Sequence, residues 1–444
     1  MIRRFAVRPL TLVALVCAGM LARAEDGARS LTWLDDNRGR FTQLADAIWD
    51  HAELGYLETE SSSLLQSTLT DHGFEVTIGV AGLPTAFVAT YGEGEPVIGV
   101  LAEFDALPGI SQAALPVRSV LEDKPQGHAC GHHLFGAGSV AAAIAIKRWM
   151  KAEKIEGTLR LFGTPAEEGG SGKVYMVRAG LFDDVDVVLH WHPSDRNAAN
   201  AATSLANKSA KFRFDGIASH AAAAPHRGRS ALDGVEAMNF MVNLMREHVP
   251  QETRIHYVIT RGGEAPNVVP DHAEVYYYVR HVSAQQLKGL WERIVAAGQA
   301  AAMGTGTEFS MEGMHGNHSL LPNEALAEAM HRNLVKVGGI NYNDEELRFA
   351  ETISTSLIGS REVKGFESRI QPRRLQAGRG STDVGDVSWT VPTTGLNTAT
   401  WVPGTAAHTW QAVAAGGTSI GHKGMMVAAK TLTLTVQDLM RDPE

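Results

Sequence analysis

Apolar positions recur at helical spacing between residues 31 and 72, with Leu44 and Ile48 in one run and Leu64, Leu65 and Leu69 in the next, and predict two helices. The period then shortens: residues 74–78, 85–90 and 97–101 are β-rich runs separated by Gly and Pro. An Ala-rich helix over 134–150, a strand over 158–162, a helix over 174–179 and a strand over 185–189 follow. Strands alternating with helices indicate an α/β fold with a doubly wound, mainly parallel sheet. The stretch 208–320 reads differently. Residues 209–214, 255–260 and 273–279 alternate like half-exposed antiparallel strands, while 229–248 and 284–302 read as helices, which makes an inserted α+β unit of a small antiparallel sheet and two helices. The α/β pattern resumes at Pro322 with a helix over 323–337 and closes with one over 424–440. The expected organisation is a main domain split between 25–207 and 321–444, with 208–320 inserted and a segment of different character, 1–24, in front.

Arg3, Arg4 and Arg8 open that segment, residues 10–21 form an apolar run too short to span a bilayer, and Ala22-Arg23-Ala24 has the small-residue pattern of a cleavage site. A signal peptide removed after Ala24 is expected, with export to the periplasm and no membrane attachment afterwards. Arg3-Arg4-Phe5 leaves Sec and twin-arginine export both open, and Val16 disfavours a lipid anchor at Cys17. Of the 2 cysteines only Cys130 would remain, so no internal disulfide forms, and a lone exported thiol needs something that uses it. The formal charge of −9 argues against a nucleic-acid partner. Eighteen histidines against 40 Lys and Arg direct attention to metal chemistry.

Potential ligands gather where strands end, which is where open α/β sheets bind ligands. The first central strand runs into Glu103-Phe104-Asp105-Ala106-Leu107-Pro108, the next into Pro165-Ala166-Glu167-Glu168-Gly169-Gly170, and the third into His190-Trp191-His192-Pro193. Gly127-His128-Ala129-Cys130-Gly131-His132-His133 immediately precedes the Ala-rich helix. Cys130 and His132 can converge on one ion across Gly131, and both a divalent metal and a helix start stabilise a thiolate. Of the neighbours Glu167 and Glu168, one can bind metal while the other takes a proton from water; spacing alone does not say which. Nor does it separate His190, a core histidine by strand parity, from His192, placed past the strand end. His220 and His408 sit in small-residue loops that permit close approach, whereas His51, His72, His248, His256, His272, His281, His331 and His422 have no partner motif and read as surface or core residues.

Other chemistries compete. Gly417-Thr418-Ser419-Ile420-Gly421 matches the G-x-S-x-G nucleophile elbow, but the tail behind it is too short to bring an acid and a histidine. A cysteine hydrolase built on Cys130 and His132 leaves Glu167 and Glu168 without a role. A non-catalytic exported protein that binds metal or peptide has no need of Glu167 beside Glu168.

Together with Gly263-Glu264-Ala265-Pro266-Asn267 and Gly380-Ser381-Thr382-Asp383-Val384-Gly385-Asp386, these segments resemble, in order and spacing, the dinuclear-metal amidohydrolases and peptidases that include aminoacylases, hippurate hydrolase and plant auxin-conjugate hydrolases, above all their p-aminobenzoyl-glutamate hydrolase branch. The resemblance covers most of the chain after residue 24. It implies that Cys130, His132, Glu168, His192 and His408 hold two divalent ions, Zn2+ or Mn2+, with the thiolate favouring zinc. Glu167 is then the general base and Asp105 orients a ligand, while Glu103 receives no separate role. His220 is implied to reach the partner subunit's active site in a homodimer and stabilise the oxyanion, and Asn267 and Arg280 to contact substrate. Arg373, Arg374 and Arg379 are a second candidate for the substrate carboxylate, against the reading of a solvated basic loop. The implied reaction is hydrolysis of the amide bond of a small N-acyl or N-aroyl amino acid by a metal-activated water that yields its proton to Glu167. Conjugates of the p-aminobenzoyl-glutamate type come first as substrates, with indoleacetyl conjugates and dipeptides as alternatives. Residues 25–207 and 321–444 would form the catalytic domain, and 208–320 a lid and dimerisation domain.

Overall fold

The computed structural model describes residues 25–359 and 362–442; the expected signal peptide lies outside them. Helical backbone over 25–36 (α1) breaks at Asn37 and resumes in α2 (Arg38–His51), followed by α3 (Thr59–Asp71), so three helices stand where the apolar spacing predicts two. Strands β1 (Glu75–Ile78), β2 (Phe87–Glu93) and β3 (Val97–Ala102) come next. A long irregular segment leads to α4 (His132–Glu153), then β4 (Gly157–Gly163), α5 (Gly172–Arg178) and β5 (Val187–Ser194). The six-stranded sheet has the order β1-β2-β4-β3-β5-β12, in which β12 (Thr393–Ala399) is a parallel edge strand that the sequence pattern does not announce. β3 pairs in parallel with both β4 and β5, whereas β1 and β2 are antiparallel additions. All six residues of β3 are buried, so both faces of the sheet are covered. After β4 the chain crosses β3 to place β5 on its other side, which opens a crevice at the carboxyl ends of these three strands.

The helix that lies beside the crevice is almost wholly buried, from His132 to Met150, because it packs between the sheet and the C-terminal helix. Alanine suits such a place: it favours helix and keeps neighbouring backbones close. Gly131 sets the start of α4. Its φ is +77°, and a Cβ there would lie 2.7 Å from Pro193, so no other residue fits between Cys130 and His132.

After the short β6 (Ala201–Ala202), the inserted unit comprises β7 (Ala206–Asp215), α6 (Ala231–Met245), β8 (Arg254–Arg261), β9 (His272–His281), α7 (Ala284–Thr305) and β10 (Glu308–Asn317). Its antiparallel sheet runs β10-β7-β9-β8. The fourth strand, β10, is not expected from the pattern, because only Asn317 in it is fully buried and the alternation is lost. In β9, Ala273, Val275, Tyr277 and Val279 face a core shared with Phe212, Met238 and Trp291, and the opposite parity turns Tyr278 and Arg280 toward the crevice. The remaining elements are α8 (Glu324–Val337), α9 (Asp344–Ser354), β11 (Leu375–Gln376), α10 (Val384–Thr390), α11 (Trp410–Gly416) and α12 (Ser419–Arg441). β11 pairs in parallel with β6. The G-x-S-x-G segment is the start of α12, capped by Thr418, and Ser419 donates to Glu346, so it is no nucleophile elbow. Among the described residues no helix is long and apolar enough to cross a membrane.

The two parts meet at His315 on β10. Its Nδ1 lies 3.2 Å from Ser171 Oγ in the main domain and its Nε2 3.0 Å from Tyr278 Oη. Burial, with the charge of Arg280 second, pushes His315 down to about 4, so the ring is neutral in the folded protein. An unfolded chain binds this proton below pH 6.5 and the folded one refuses it until about 4, so the contribution of His315 is present above pH 6.5 and is lost between those values. Thermal melts across this window are expected to show the loss, and His315→Gln, which has nothing to titrate, a flatter dependence; equal slopes in both proteins refute this assignment.

Candidate metal centre

Glu103 and Asp105 follow β3, Glu167 and Glu168 follow β4, and β5 continues to Ser194, so His190 and His192 lie within the strand rather than at its end. Strand parity puts both on the crevice side, with Trp191 buried opposite and donating to Phe135 O. β12 sets Gly395 beside His190, where a Cβ would come within 2.4 Å of the ring. The fifth candidate comes from much further along the chain. His408 has φ +62°, and its N–H donates to Ala129 O, which brings it beside Cys130.

Two groups of potential ligand atoms result, Cys130 with His132 and His192, and Cys130 with Glu168 and His408; within each, the atoms lie within 4.8 Å of one another. Cys130 Sγ stands 3.5 Å from His192 Nε2 and 3.6 Å from His408 Nε2, and Glu168 Oε1 is 3.3 Å from His408 Nε2. The outer hydrogen bonds orient these atoms. His132 Nδ1 pairs with Asp105 Oδ1 at 2.8 Å and His192 Nδ1 with Pro193 O at 2.7 Å, which leaves each Nε2 turned inward. The other oxygen of Asp105 accepts from the backbone N–H of Glu168. What lies nearest buried His132 Nε2 and Glu168 Oε1 are other potential ligand atoms, Glu103 Oε2 at 3.1 Å and His408 Nε2 at 3.3 Å, and neither makes a well-formed hydrogen bond, as expected of atoms that converge on a cation. Burial, with the charge of Glu168 second, pushes the Cys130 thiol well up, so a thiolate here requires a positive ion beside it. The residues present therefore fit two divalent ions that share Cys130.

A third group, Glu103, His132 and Glu167, has a lysine beside it. Glu103 Oε1 lies 2.7 Å from Lys173 Nζ, which also reaches Asp383 Oδ1 at 2.7 Å, and the Lys173 backbone N–H donates to Asp383 Oδ2. All three side chains are buried. Sequence pattern assigns Glu103 no role and does not single out Lys173; the one signal for the pair is the Gly380–Asp386 motif containing Asp383. Glu167 has no such cation. Burial, with the nearby Glu103 charge second, holds its carboxyl well above the usual range, whereas the approach of His408 and His132 outweighs burial at Glu168 and brings it to about 2. The neighbouring carboxyls thus differ in proton affinity.

The groups border a cavity of about 810 Å³ whose far wall includes Asn207, His256, Tyr278, Arg280, His315 and Gln376. Arg280 Nε is buried there without a partner. His220 and Asn267 stand elsewhere: both are exposed, adjacent across the His220–Val268 bridge and outside the cavity. His220 Nδ1 accepts from Ala222 and Ala223 N–H, so its Nε2–H faces outward. Arg373 pairs with Glu324 and Glu328 on α8, and none of Arg373, Arg374 and Arg379 borders the cavity, which supports the solvated-loop reading of that cluster.

Cys130→Ala removes the atom common to both groups. Metal analysis is expected to show a fall from about two ions per chain to fewer than one; a variant that keeps both ions removes Cys130 from the set.

Residues 206–303 match the peptidase dimerisation domain. The chain is 41% identical over 436 residues to one of the subunits of the p-aminobenzoyl-glutamate hydrolase of Escherichia coli (strain K12), covering 92% of this chain and 91% of that protein. It is 31% identical to the Xaa-Arg dipeptidase of Homo sapiens, over 94% and 89% of the two chains. Its fold is similar to that of a dinuclear metal binding peptidase from the M20 family of Bacillus subtilis, with a TM-score of 0.60, 18% identity, and 91% and 99% coverage. The ligand groups, the inserted domain and a relative of this identity over nearly the whole length make the chain a member of the M20 family of metal-dependent peptidases and aminohydrolases.

Proposed function

We propose that this protein hydrolyses the amide bond of N-acyl or N-aroyl amino acids, conjugates of the p-aminobenzoyl-glutamate type foremost, and releases the free amino acid. The observation that carries the reading is Glu167 at the rim of the two ligand groups, with a carboxyl whose proton affinity is raised by burial and by Glu103. Cys130, His132 and His192 would hold one ion and Cys130, Glu168 and His408 the other. Zinc suits the shared thiolate better than manganese. The ions supply Lewis acidity for the carbonyl and acidify water. Glu167 accepts the proton of the attacking water and returns it to the departing amine, a transfer that needs a base of raised affinity. Asp105 keeps His132 in the tautomer that presents Nε2 inward.

Arg280 would receive the carboxylate of the product amino acid, and its unpaired Nε in the cavity wall supports that role. Among the described residues, the far wall of the cavity offers Arg280, histidines and neutral amides but no carboxylate, which favours an acidic side chain. Similarity to the Xaa-Arg dipeptidase supports the second reading, a dipeptidase.

His220 completes the site from a partner subunit: its outward Nε2–H is a donor suited to an oxyanion, and it lies outside the cavity of its own chain. The homodimer would form through the inserted domain, where β8 is an edge strand with Tyr257, Val258 and Ile259 exposed. Residues 1–24 support export to the periplasm.

The test uses a panel of N-acyl and N-aroyl amino acids. Glu167→Gln is expected to retain its metal and lose turnover by about two to four orders of magnitude. Mixing inactive Glu167→Gln chains with inactive His220→Ala chains should restore part of the activity. Near-normal turnover by the first variant refutes the base, and no restoration in the mixture refutes the shared site.

A further inference from the structure

Ala166, immediately before Glu167, is a buried non-glycine residue with φ +57°, a conformation that a Cβ disfavours. What holds it there comes from a distant stretch of chain, Glu53 to Glu58. Glu58 is fully buried, its Oε1 accepts from the Ala166 N–H at 2.8 Å and its Oε2 from Thr85 Oγ1 at 3.0 Å. It precedes α3 but makes no capping bond to that helix, and among the described residues no cation pairs with it. Burying a carboxyl without a cation is costly, so the two bonds it does make are the reason for its place.

The rest of the strap serves the same loop. A Cβ at Gly55 would lie 2.9 Å from the Cα of Ala166, Tyr56 Oη donates to Gly170 O at 2.6 Å, and Gly170 N–H donates to Ala166 O. Leu54 bridges Ala106, next to Asp105, and Glu53 accepts from Glu60 and Ser61 N–H to anchor the strap on α3. Turning Ala166 into an ordinary negative-φ conformation would redirect the Glu167 side chain.

We propose that Glu58 is a positioning residue for the catalytic loop: by gripping the Ala166 N–H it fixes the left-handed turn that aims the Glu167 carboxyl at the ligand groups. This rests on the reading of Glu167 as the base. The requirement is a hydrogen-bond acceptor at this spot, not a charge, so glutamine should serve: its amide oxygen takes the Ala166 N–H while the Thr85 hydroxyl turns to accept from its NH2.

The experiment compares Glu58→Ala, Glu58→Gln and the double variant Glu58→Ala/Ala166→Gly with the wild-type chain. Steady-state kinetics, bound metal and amide hydrogen exchange of residues 164–170 in metal-free protein are the readouts. Glu58→Ala is expected to lower kcat by about tenfold to a hundredfold with KM and bound metal unchanged, and to speed exchange in 164–170. Glu58→Gln should stay within about threefold of wild type, and the double variant should recover part of the kcat, because glycine adopts the left-handed turn without the Cβ cost. Unchanged kcat and exchange in Glu58→Ala overturn the proposal, as does a double variant no faster than Glu58→Ala. If Glu58→Ala does not accumulate, Glu58→Asp, which keeps the charge but not the reach, carries the same expectation. A metal-loaded wild-type chain that cleaves none of the conjugates refutes the hydrolase reading instead, and the exchange measurement still decides the role of Glu58.

Discussion

Negative charge is concentrated at the carboxyl ends of β3 and β4, and almost everything about the site follows from how it is balanced. Glu103, Asp105 and Asp383 are buried there, with Glu167 and Glu168 bordering the cavity beside them. Among the described residues a single fully buried lysine, Lys173, opposes them from within the protein. Carboxylates this close cannot all remain charged in a medium of low polarity without cations. Lys173 holds Glu103 below the usual range despite its burial, yet leaves Glu167 above it. The remaining negative charge, with a thiol that ionises only beside a positive ion, defines a place for divalent metal more firmly than any one ligand does.

The sheet topology makes this concentration possible. Because β3 lies between β4 and β5, the ends of β3 and β4 deliver carboxylates, and one face of β5 delivers His190 and His192, to one crevice. The inserted domain then closes the far side with residues of one strand face, Tyr278 and Arg280, and His315 ties it back to Ser171 in the loop that follows Glu168. The far end of the cavity, with Arg280, is therefore cationic and the end with the ligand groups anionic. That polarity suits a ligand with a carbonyl at one end and a carboxylate at the other.

Much of this is legible along the chain. The α/β alternation, the inserted antiparallel unit and the ligand-bearing strand ends are all local patterns of period and residue type, and the motif order points to the family before any fold is drawn. The weaker elements escape for physical reasons. β12 contains Gly395 and Asn397, placed where they accommodate His190 and donate to His192 O, so packing rather than strand propensity chose its residues. β10 has little buried surface and hence no alternation to read.

Residue type and local spacing establish which side chains are chemically equipped: Cys130 and His132 about a glycine, Glu167 beside Glu168, His192 beside a buried tryptophan. That spacing is dictated by helix starts and strand ends, and such features repeat wherever the same few residues occur. How the equipped residues are used is settled in three dimensions. The fold joins His408 to Cys130 across most of the chain, pairs Lys173 with Glu103 and Asp383, sets Glu58 against the backbone before Glu167, and leaves His220 and Asn267 outside the cavity of their own chain. These contacts connect segments far apart in sequence, so they leave no periodic trace; they exist because a folded interior must give each buried charge and N–H a partner, and that partner is found in space.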